Sequence, residues 1–346
     1  MSELQELCRT FSSKTPHTRV SPTRPVRWWT EKDRLNGTVV DAFVVIFTTQ
    51  GCAWAQRSGC TMCGYGNDSA GTAVSAEDLD QQLRTALRDY HGEPLVKIFN
   101  SGSFLNEDEI PTTARKTLLS AFPNATKISV ESRPEYVTEE TLTHIQDIIG
   151  PCQFEVGIGL ETANDVVREK AINKGFSFAQ YKAAASLLKK HRVSVKTYVL
   201  VKPPFLTEHE ALEDALETIR AITPMTDIIS LNPVDIQRHT LVEYLWHRDE
   251  YRPPWLWSLV DILHQGHQVF SGHLKCDVVA GGTQRGPHNC SVCDHDVLSA
   301  ISTFSLYQDP SVFTPLSCSC REQWRDQCAY ENLTFGSVVD WSRWKA

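Results

Sequence analysis

Residues 39–66 begin Val39-Val40-Asp41-Ala42-Phe43-Val44-Val45-Ile46-Phe47-Thr48-Thr49-Gln50-Gly51-Cys52 and, seven residues later, continue Cys60-Thr61-Met62-Cys63-Gly64-Tyr65-Gly66. The first part is rich in Val and Phe and ends in polar residues, which predicts a strand over 39–47. The strand runs straight into a glycine-containing loop. That loop carries Cys52, Cys60 and Cys63 within twelve residues. Cysteines at this density, in a chain without disulfide-miniprotein character, point to metal. Three thiolates leave a structural zinc tetrahedron one ligand short. Thiolates are also the usual ligands of iron–sulfur clusters, and a four-iron cluster held by three of them keeps one iron open for a small molecule.

Working outward, similar short apolar runs recur at Val96–Asn100, Lys127–Glu131, Phe154–Leu160, Val195–Val201 and Ile228–Leu231. Helical stretches separate them: Ser75–Tyr90, Pro111–Phe122, Thr138–Ile149, Ala163–Asn173, Ser177–His191 and Glu208–Ile222. In the first, Ser75 and Asp78 have capping-box spacing, and Leu79, Leu83 and Leu87 share one face. Six β-α units imply a parallel sheet with right-handed crossovers. They are too few for a full eight-stranded barrel, so a partial (β/α)6 barrel or an open doubly wound sheet is expected. Either collects its ligands at the C-terminal ends of the strands. The expected organisation is a basic arm over 1–38, a partial barrel over 39–235 and a small cysteine-rich C-terminal domain over 236–346.

The 346 residues are 41% hydrophobic and 22% charged, as in soluble globular chains. The longest strongly apolar stretch, Ala42–Phe47, is far below the ~20 residues of a membrane helix. The N-terminus lacks a signal-peptide core, so a cytoplasmic protein without membrane contact is expected. Net charge is 34 − 42 = −8, which does not favour a generic nucleic-acid binder. The region 14–34 is locally basic, however, with Lys14, Arg19, Arg24, Arg27, Lys32 and Arg34 against Glu31 and Asp33. It reads either as an irregular solvated arm or as one that meets phosphates.

A second cysteine group lies near the other end. Cys290-x2-Cys293 is followed 24 residues later by Cys318-x-Cys320. This is knuckle spacing for structural zinc. His288 or Cys328 could replace one ligand, and a second iron–sulfur cluster or unligated thiols are the alternatives. Cys276 stands apart, as a buried free thiol or a substrate-side one.

The N-terminal cysteine loop, placed after the first strand of a β-α series, resembles the radical S-adenosylmethionine (SAM) superfamily. It departs from the usual Cys-x3-Cys-x-aromatic-Cys signature in its seven-residue gap and in Met62 before the last cysteine. The resemblance implies a [4Fe-4S] cluster on Cys52, Cys60 and Cys63, with SAM as cofactor and Met62 beside it. It further implies that Ser101, Gly102 and Ser103 meet the methionine amino group, and that Glu161 or Thr162 meets the ribose. Arg168 or Lys174 would face the SAM carboxylate. Glu131-Ser132-Arg133-Pro134-Glu135 resembles the radical-SAM domain of the Elongator catalytic subunit, adding Glu131 and Arg133 to the cofactor set. Lys202-Pro203-Pro204 would be a rigid turn or part of the substrate mouth.

Four segments resemble a narrower family, the archaeal radical-SAM subunits of archaeosine synthase. They are Arg24-Pro25-Val26-Arg27, 31–37, 59–65 and 285–290. That likeness implies an enzyme acting on transfer RNA. An alpha subunit adds lysine to the nitrile of a 7-cyano-7-deazaguanine base, and the radical-SAM subunit cleaves the lysine C–N bond, leaving archaeosine. The implied partners are the lysine-adducted tRNA, the alpha subunit and an external electron donor. The alternatives are another radical-SAM RNA modifier (thiolation or acyl transfer) and a non-catalytic zinc- and RNA-binding protein.

Overall fold

Eight strands form one sheet in sequential order: β1 (Arg27–Leu35), β2 (Thr38–Phe47), β3 (Leu95–Asn100), β4 (Lys127–Glu131), β5 (Gln153–Glu161), β6 (Ser194–Val201), β7 (Ile228–Pro233) and β8 (His273–Cys276). The structure is a computed structural model and describes residues 2–12 and 20–335. The six expected strands are β2 to β7, all parallel. Each is rich in branched or aromatic residues, and their outward-facing side chains pack under the crossover helices.

Two edge strands were not expected. Residues 27–35 were read as part of an irregular arm, yet they form β1, antiparallel to β2. Asn36 (φ 49) and Gly37 (φ 87) make the two-residue hairpin turn between them. Its inward residues are Glu31 and Asp33, so it lacks the apolar alternation that marks a strand. β8 adds a parallel strand beyond β7 and carries the sheet past residue 235, where the C-terminal domain was expected to begin. Of the arm's basic residues, Lys14 and Arg19 lie outside the described residues. Lys32 pairs with Asp41 at 2.8 Å, and Arg34 donates to the Leu306 carbonyl at 3.1 Å.

The sheet curls into a half-barrel. Its two edges come close enough for Lys275 on β8 to reach Asp33 on β1 at 3.1 Å. Lysines and carboxylates line the lower lumen: Lys97 with Glu31 at 2.6 Å and with Asp33, and Lys127 with Glu155 at 3.2 Å. Burial acts to raise the Asp33 pKa, but Lys275, Lys97 and Lys196 together hold it far below the usual carboxylate range.

The N-terminal segment is α1 (Glu3–Ser12), which packs on α2 (Ala53–Arg57) of the cysteine loop. The crossovers are α3 (Ala76–Ala86), α4 (Thr112–Ser120), α5 (Glu139–Ile149), the short α6 (Asp165–Val167), α7 (Phe178–Lys190) and α8 (Glu208–Ile222). Capping boxes start three of them: Ser75 with Asp78, Ser177 with Gln180, and Thr207 with Glu210. Leu79 and Leu83 of α3 are buried, as the 3.6-residue periodicity requires. The helix expected over 163–173 is broken: α6 passes into a π-helical turn, Arg168–Ile172, that ends at Asn173 with φ 59. Beyond β7 come α9 (Leu241–Trp246), α10 (Leu256–Val269), α11 (Asp294–Tyr307) and α12 (Cys320–Phe335). Among the described residues, no helix is long and apolar enough to cross a membrane.

Candidate active site

The loop after β2 is built to present thiols at the sheet's C-terminal mouth. Thr48 and Thr49 are buried, and Gln82 of α3 anchors Thr48 through both its backbone N–H (2.8 Å) and its carbonyl (2.9 Å). Gly51 then turns with φ 95, and a Cβ there would lie 2.8 Å from Ser69. Cys52 caps α2, Gly59 turns the chain with φ 86, and Cys60 and Cys63 follow.

The π turn clasps this loop from behind. Asn173 donates to the Ser58 hydroxyl (2.8 Å) and the Gly59 carbonyl (2.7 Å). Thr61 donates through its hydroxyl to the Ala171 carbonyl at 2.8 Å and through its N–H to Ile172 at 3.0 Å. On the other side Gln237 accepts from the Gly64 N–H at 2.5 Å. Burial pushes the Cys60 thiol up to about 11 and the Cys63 thiol up to about 12. Lys174 and Arg133 act in the opposite direction on Cys60. Cys8 of α1, left unassigned by the sequence, is buried against Asn173 close to Cys60.

The remaining candidates divide sharply. Glu161 sits at a bulge at the end of β5 (φ 71), and Lys174 meets its carboxylate at 2.5 Å beside Cys60. Arg133 pairs with Glu135 at 2.5 Å rather than with Glu131, donates to the Lys174 carbonyl at 3.0 Å, and stacks on Trp54 and Phe176. Ser101 and Gly102 lie half-buried at the end of β3. A Cβ on Gly102 would fall 1.9 Å from the Glu109 carboxylate. Glu131 faces the lumen and accepts a hydrogen bond from Tyr198.

Five candidates are engaged elsewhere. Thr162 is fully buried and donates to Asp214 at 2.7 Å, so it faces α8 instead of the mouth. The Arg168 guanidinium is 1% exposed and is consumed by the Leu160 and Thr162 carbonyls and by Asp165. Of the two basic candidates for the SAM carboxylate, only Lys174 therefore stands near the loop cysteines. Ser103 is buried and supports the turn, its hydroxyl accepting from the Arg133 N–H at 3.1 Å. Met62 packs into an apolar cluster with Ile172, Leu200 and Val242. Lys202 is likewise tied down by a buried pair with Glu208 at 2.7 Å. In each case the side chain satisfies a partner within the fold.

The second cysteine group closes completely. The sulfurs of Cys290, Cys293, Cys318 and Cys320 all lie within 4.8 Å of one another. Cys290–Cys318 and Cys293–Cys320 are each 3.6 Å apart. Trp257 donates to the Cys320 sulfur at 3.3 Å and Asn289 to the Cys293 sulfur at 3.4 Å, the outer hydrogen bonds expected around thiolate ligands. Neither His288 nor Cys328 belongs to this group: His288 faces the Gly286 carbonyl at 2.8 Å. Among the described residues these four form the group tight enough for a single ion. The three loop cysteines do not form such a group. Cys276 is buried in the core under α11.

The lumen beneath the mouth holds residues that sequence reading passed over. Lys196 and Tyr198 of β6 both point inward, with the Lys196 ammonium 4.6 Å from the Tyr198 ring centre. Their signal was a lysine on a central strand, where both faces are covered.

Comparison with known proteins agrees with this geometry. The profile of the Radical SAM superfamily matches residues 46–218. Archaeosine synthase subunit beta of Methanosarcina acetivorans is 42% identical over 92% of this chain and 94% of its own length. The protein of the same name from Thermococcus kodakarensis is 39% identical over 91% of this chain and 98% of its own. A crystal structure of methylornithine synthase superposes with a TM-score of 0.48 and 13% identity, covering 78% of this chain and 71% of that one.

Proposed function

Because the chain belongs to the radical SAM superfamily, within the family of archaeosine synthase beta subunits, we propose that it cleaves the lysine C–N bond of a lysine-adducted deazaguanine in tRNA to form archaeosine. Membership implies a [4Fe-4S] cluster and SAM. When bound, these supply a 5′-deoxyadenosyl radical that removes a hydrogen atom from an unactivated carbon. The observation that carries the reading is the presentation of Cys52, Cys60 and Cys63 together at the C-terminal mouth of a half-barrel, in a chain that aligns with the family almost end to end.

In this reading the three loop cysteines hold the cluster. The π turn and Gln237 hold the loop rigid, so that the thiolates keep their places without it rearranging. Ser101 and Gly102 border the cofactor's amino end, and the Glu161–Lys174 pair stands between the cluster and the lumen, where polar groups of SAM would meet it. Arg133, braced by Glu135 and two aromatic rings, fixes the backbone at Lys174. Cys290, Cys293, Cys318 and Cys320 hold one structural zinc that ties α10, α11 and α12 together. The partners are an alpha subunit that prepares the adduct, the tRNA and an electron donor.

The test is an anaerobic assay with lysine-adducted tRNA, SAM and a reductant, read by mass spectrometry of the tRNA nucleosides. The expected products are archaeosine, methionine, 5′-deoxyadenosine and the released, oxidised lysine carbon skeleton, with activity abolished in Cys60→Ala. A thiolated or acylated nucleoside, or an intact adduct beside consumed SAM, would overturn the assignment.

A further inference from the structure

Side chains alternate along a strand, so Lys97 and Phe99 of β3, Ser129 and Glu131 of β4, and Lys196 and Tyr198 of β6 share the lumen. Three of the lumen lysines are neutralised. Lys97, Lys127 and Lys275 each have a carboxylate within 3.3 Å. Lys196 is the exception. It is 4% exposed, yet its contacts are the faces of Tyr198 and Phe99, at 4.6 and 5.9 Å. Among the described residues, no carboxylate lies within ion-pair distance of it.

Glu131 has the complementary condition. It accepts a hydrogen bond from Tyr198 and makes no ion pair among the described residues, the Lys196 and Lys174 ammoniums acting on it only at longer range. Tyr198 keeps the two charges apart. Its ring lies across Gly157, where a Cβ would approach to 2.8 Å, with Lys196 over its face and Glu131 at its hydroxyl. A buried charge without a partner is costly, and two opposite ones held apart by a ring form a socket for a ligand that carries both signs. Along the register Lys196 stands opposite Gly157, and Gly157 opposite Glu131, the last residue of β4, so both side chains lie in the upper lumen near the mouth. That position suits the far end of an aminoalkyl chain whose other end lies beside the loop cysteines.

We propose that Lys196 and Glu131 bind the free α-carboxylate and α-ammonium of an amino acid carried on the substrate. Under the function proposed above, on which this inference rests, that group is the head of the lysyl adduct. Glu131 then serves the substrate rather than SAM.

The test compares tRNA carrying three chemically prepared adducts: lysine, cadaverine (which lacks the carboxylate) and ε-aminocaproate (which lacks the α-ammonium). Wild-type kcat/KM should fall on the order of 100-fold for each truncated adduct, because each leaves a buried charge unpaired. Lys196→Met should lose about 100-fold on the lysine adduct and no longer prefer it to the cadaverine adduct. Lys196→Arg should recover part of that loss. Glu131→Gln should lose its preference against the ε-aminocaproate adduct in the same way. Iron content and SAM binding, measured on every variant, separate misfolding from a lost contact, and the wild-type comparison needs no variant at all. Equal processing of the three adducts by the wild type, or retained lysine-over-cadaverine preference in a folded Lys196→Met protein, would sink the proposal while leaving the enzymatic function intact. Inactivity toward all three adducts would instead remove the functional reading and this inference with it.

Discussion

The Lys174 ammonium lies 2.5 Å from the Glu161 carboxylate, with both side chains largely buried and Cys60 alongside. Breaking a buried pair strands the surviving charge. Lys174→Met should therefore destabilise the protein by about 3 kcal/mol, measured by denaturant unfolding of reconstituted material. The double variant Lys174→Met/Glu161→Gln should recover much of that loss. A single variant as stable as the wild type would mean that water screens the pair.

Asp214 gives a pH signature. Burial raises its pKa from 3.8 to about 7, and its second carboxylate oxygen has no hydrogen-bond partner. The folded chain thus holds this proton more tightly than the unfolded chain does. Its contribution to stability is fully present below pH ~4 and is lost as pH rises through about 7. Asp214→Asn removes the charge, so at pH 8 the variant should be more stable than the wild type by on the order of 3 kcal/mol. The difference should vanish near pH 4. Glu109, also pushed up by burial to about 7, leaves the variant a residual slope over the same range.

The Trp257 side chain meets the proposed zinc site by donating its indole N–H to the Cys320 sulfur at 3.3 Å. Elemental analysis should find one zinc beside the cluster iron. Trp257→Phe should weaken zinc retention roughly 10- to 100-fold in a chelator competition, the usual effect of losing an outer hydrogen bond. Cys320→Ala should lose the zinc outright while keeping the loop iron. Zinc retained by Cys320→Ala would exclude that sulfur as a ligand.

Gly102 is packed against Glu109, whose carboxylate also accepts from the Ser103 N–H (2.9 Å) and the Asn100 amide (3.1 Å). Gly102→Ala forces that anchor aside. A stability loss of about 1–3 kcal/mol is expected from the overpacking. SAM affinity, followed by equilibrium binding, should fall with it if this turn borders the cofactor. Wild-type SAM affinity in a measurably destabilised variant would move the cofactor away from the turn.

Much of the fold was legible because each central strand advertises itself. A run such as Val195–Val201, flanked by capped helices, admits few other structures. The loop cysteines were legible for a similar reason, since their spacing and their place after β2 are both local. β1 and β8 were not legible. Their inward residues, Glu31, Asp33, His273 and Lys275, are polar, and they make sense only against each other across the lumen. The engagement of Thr162 and Arg168 within the fold was not legible for the same kind of reason. Both occupy a plausible motif position, but a three-residue helix followed by a π turn directs them toward Asp214 and backbone carbonyls.

The amino-acid order alone determined where strands and helices fall and which thiols lie together on one loop, because periodicity, capping and short spacing act between near neighbours. Only the curled sheet decided which charges find partners. It brings Asp33 to Lys275 across 242 positions of chain, and it leaves Lys196 against two aromatic rings, with no carboxylate in ion-pair contact among the described residues. Whether a buried charge is neutralised depends on what lies across the lumen, and that distance has no counterpart along the chain.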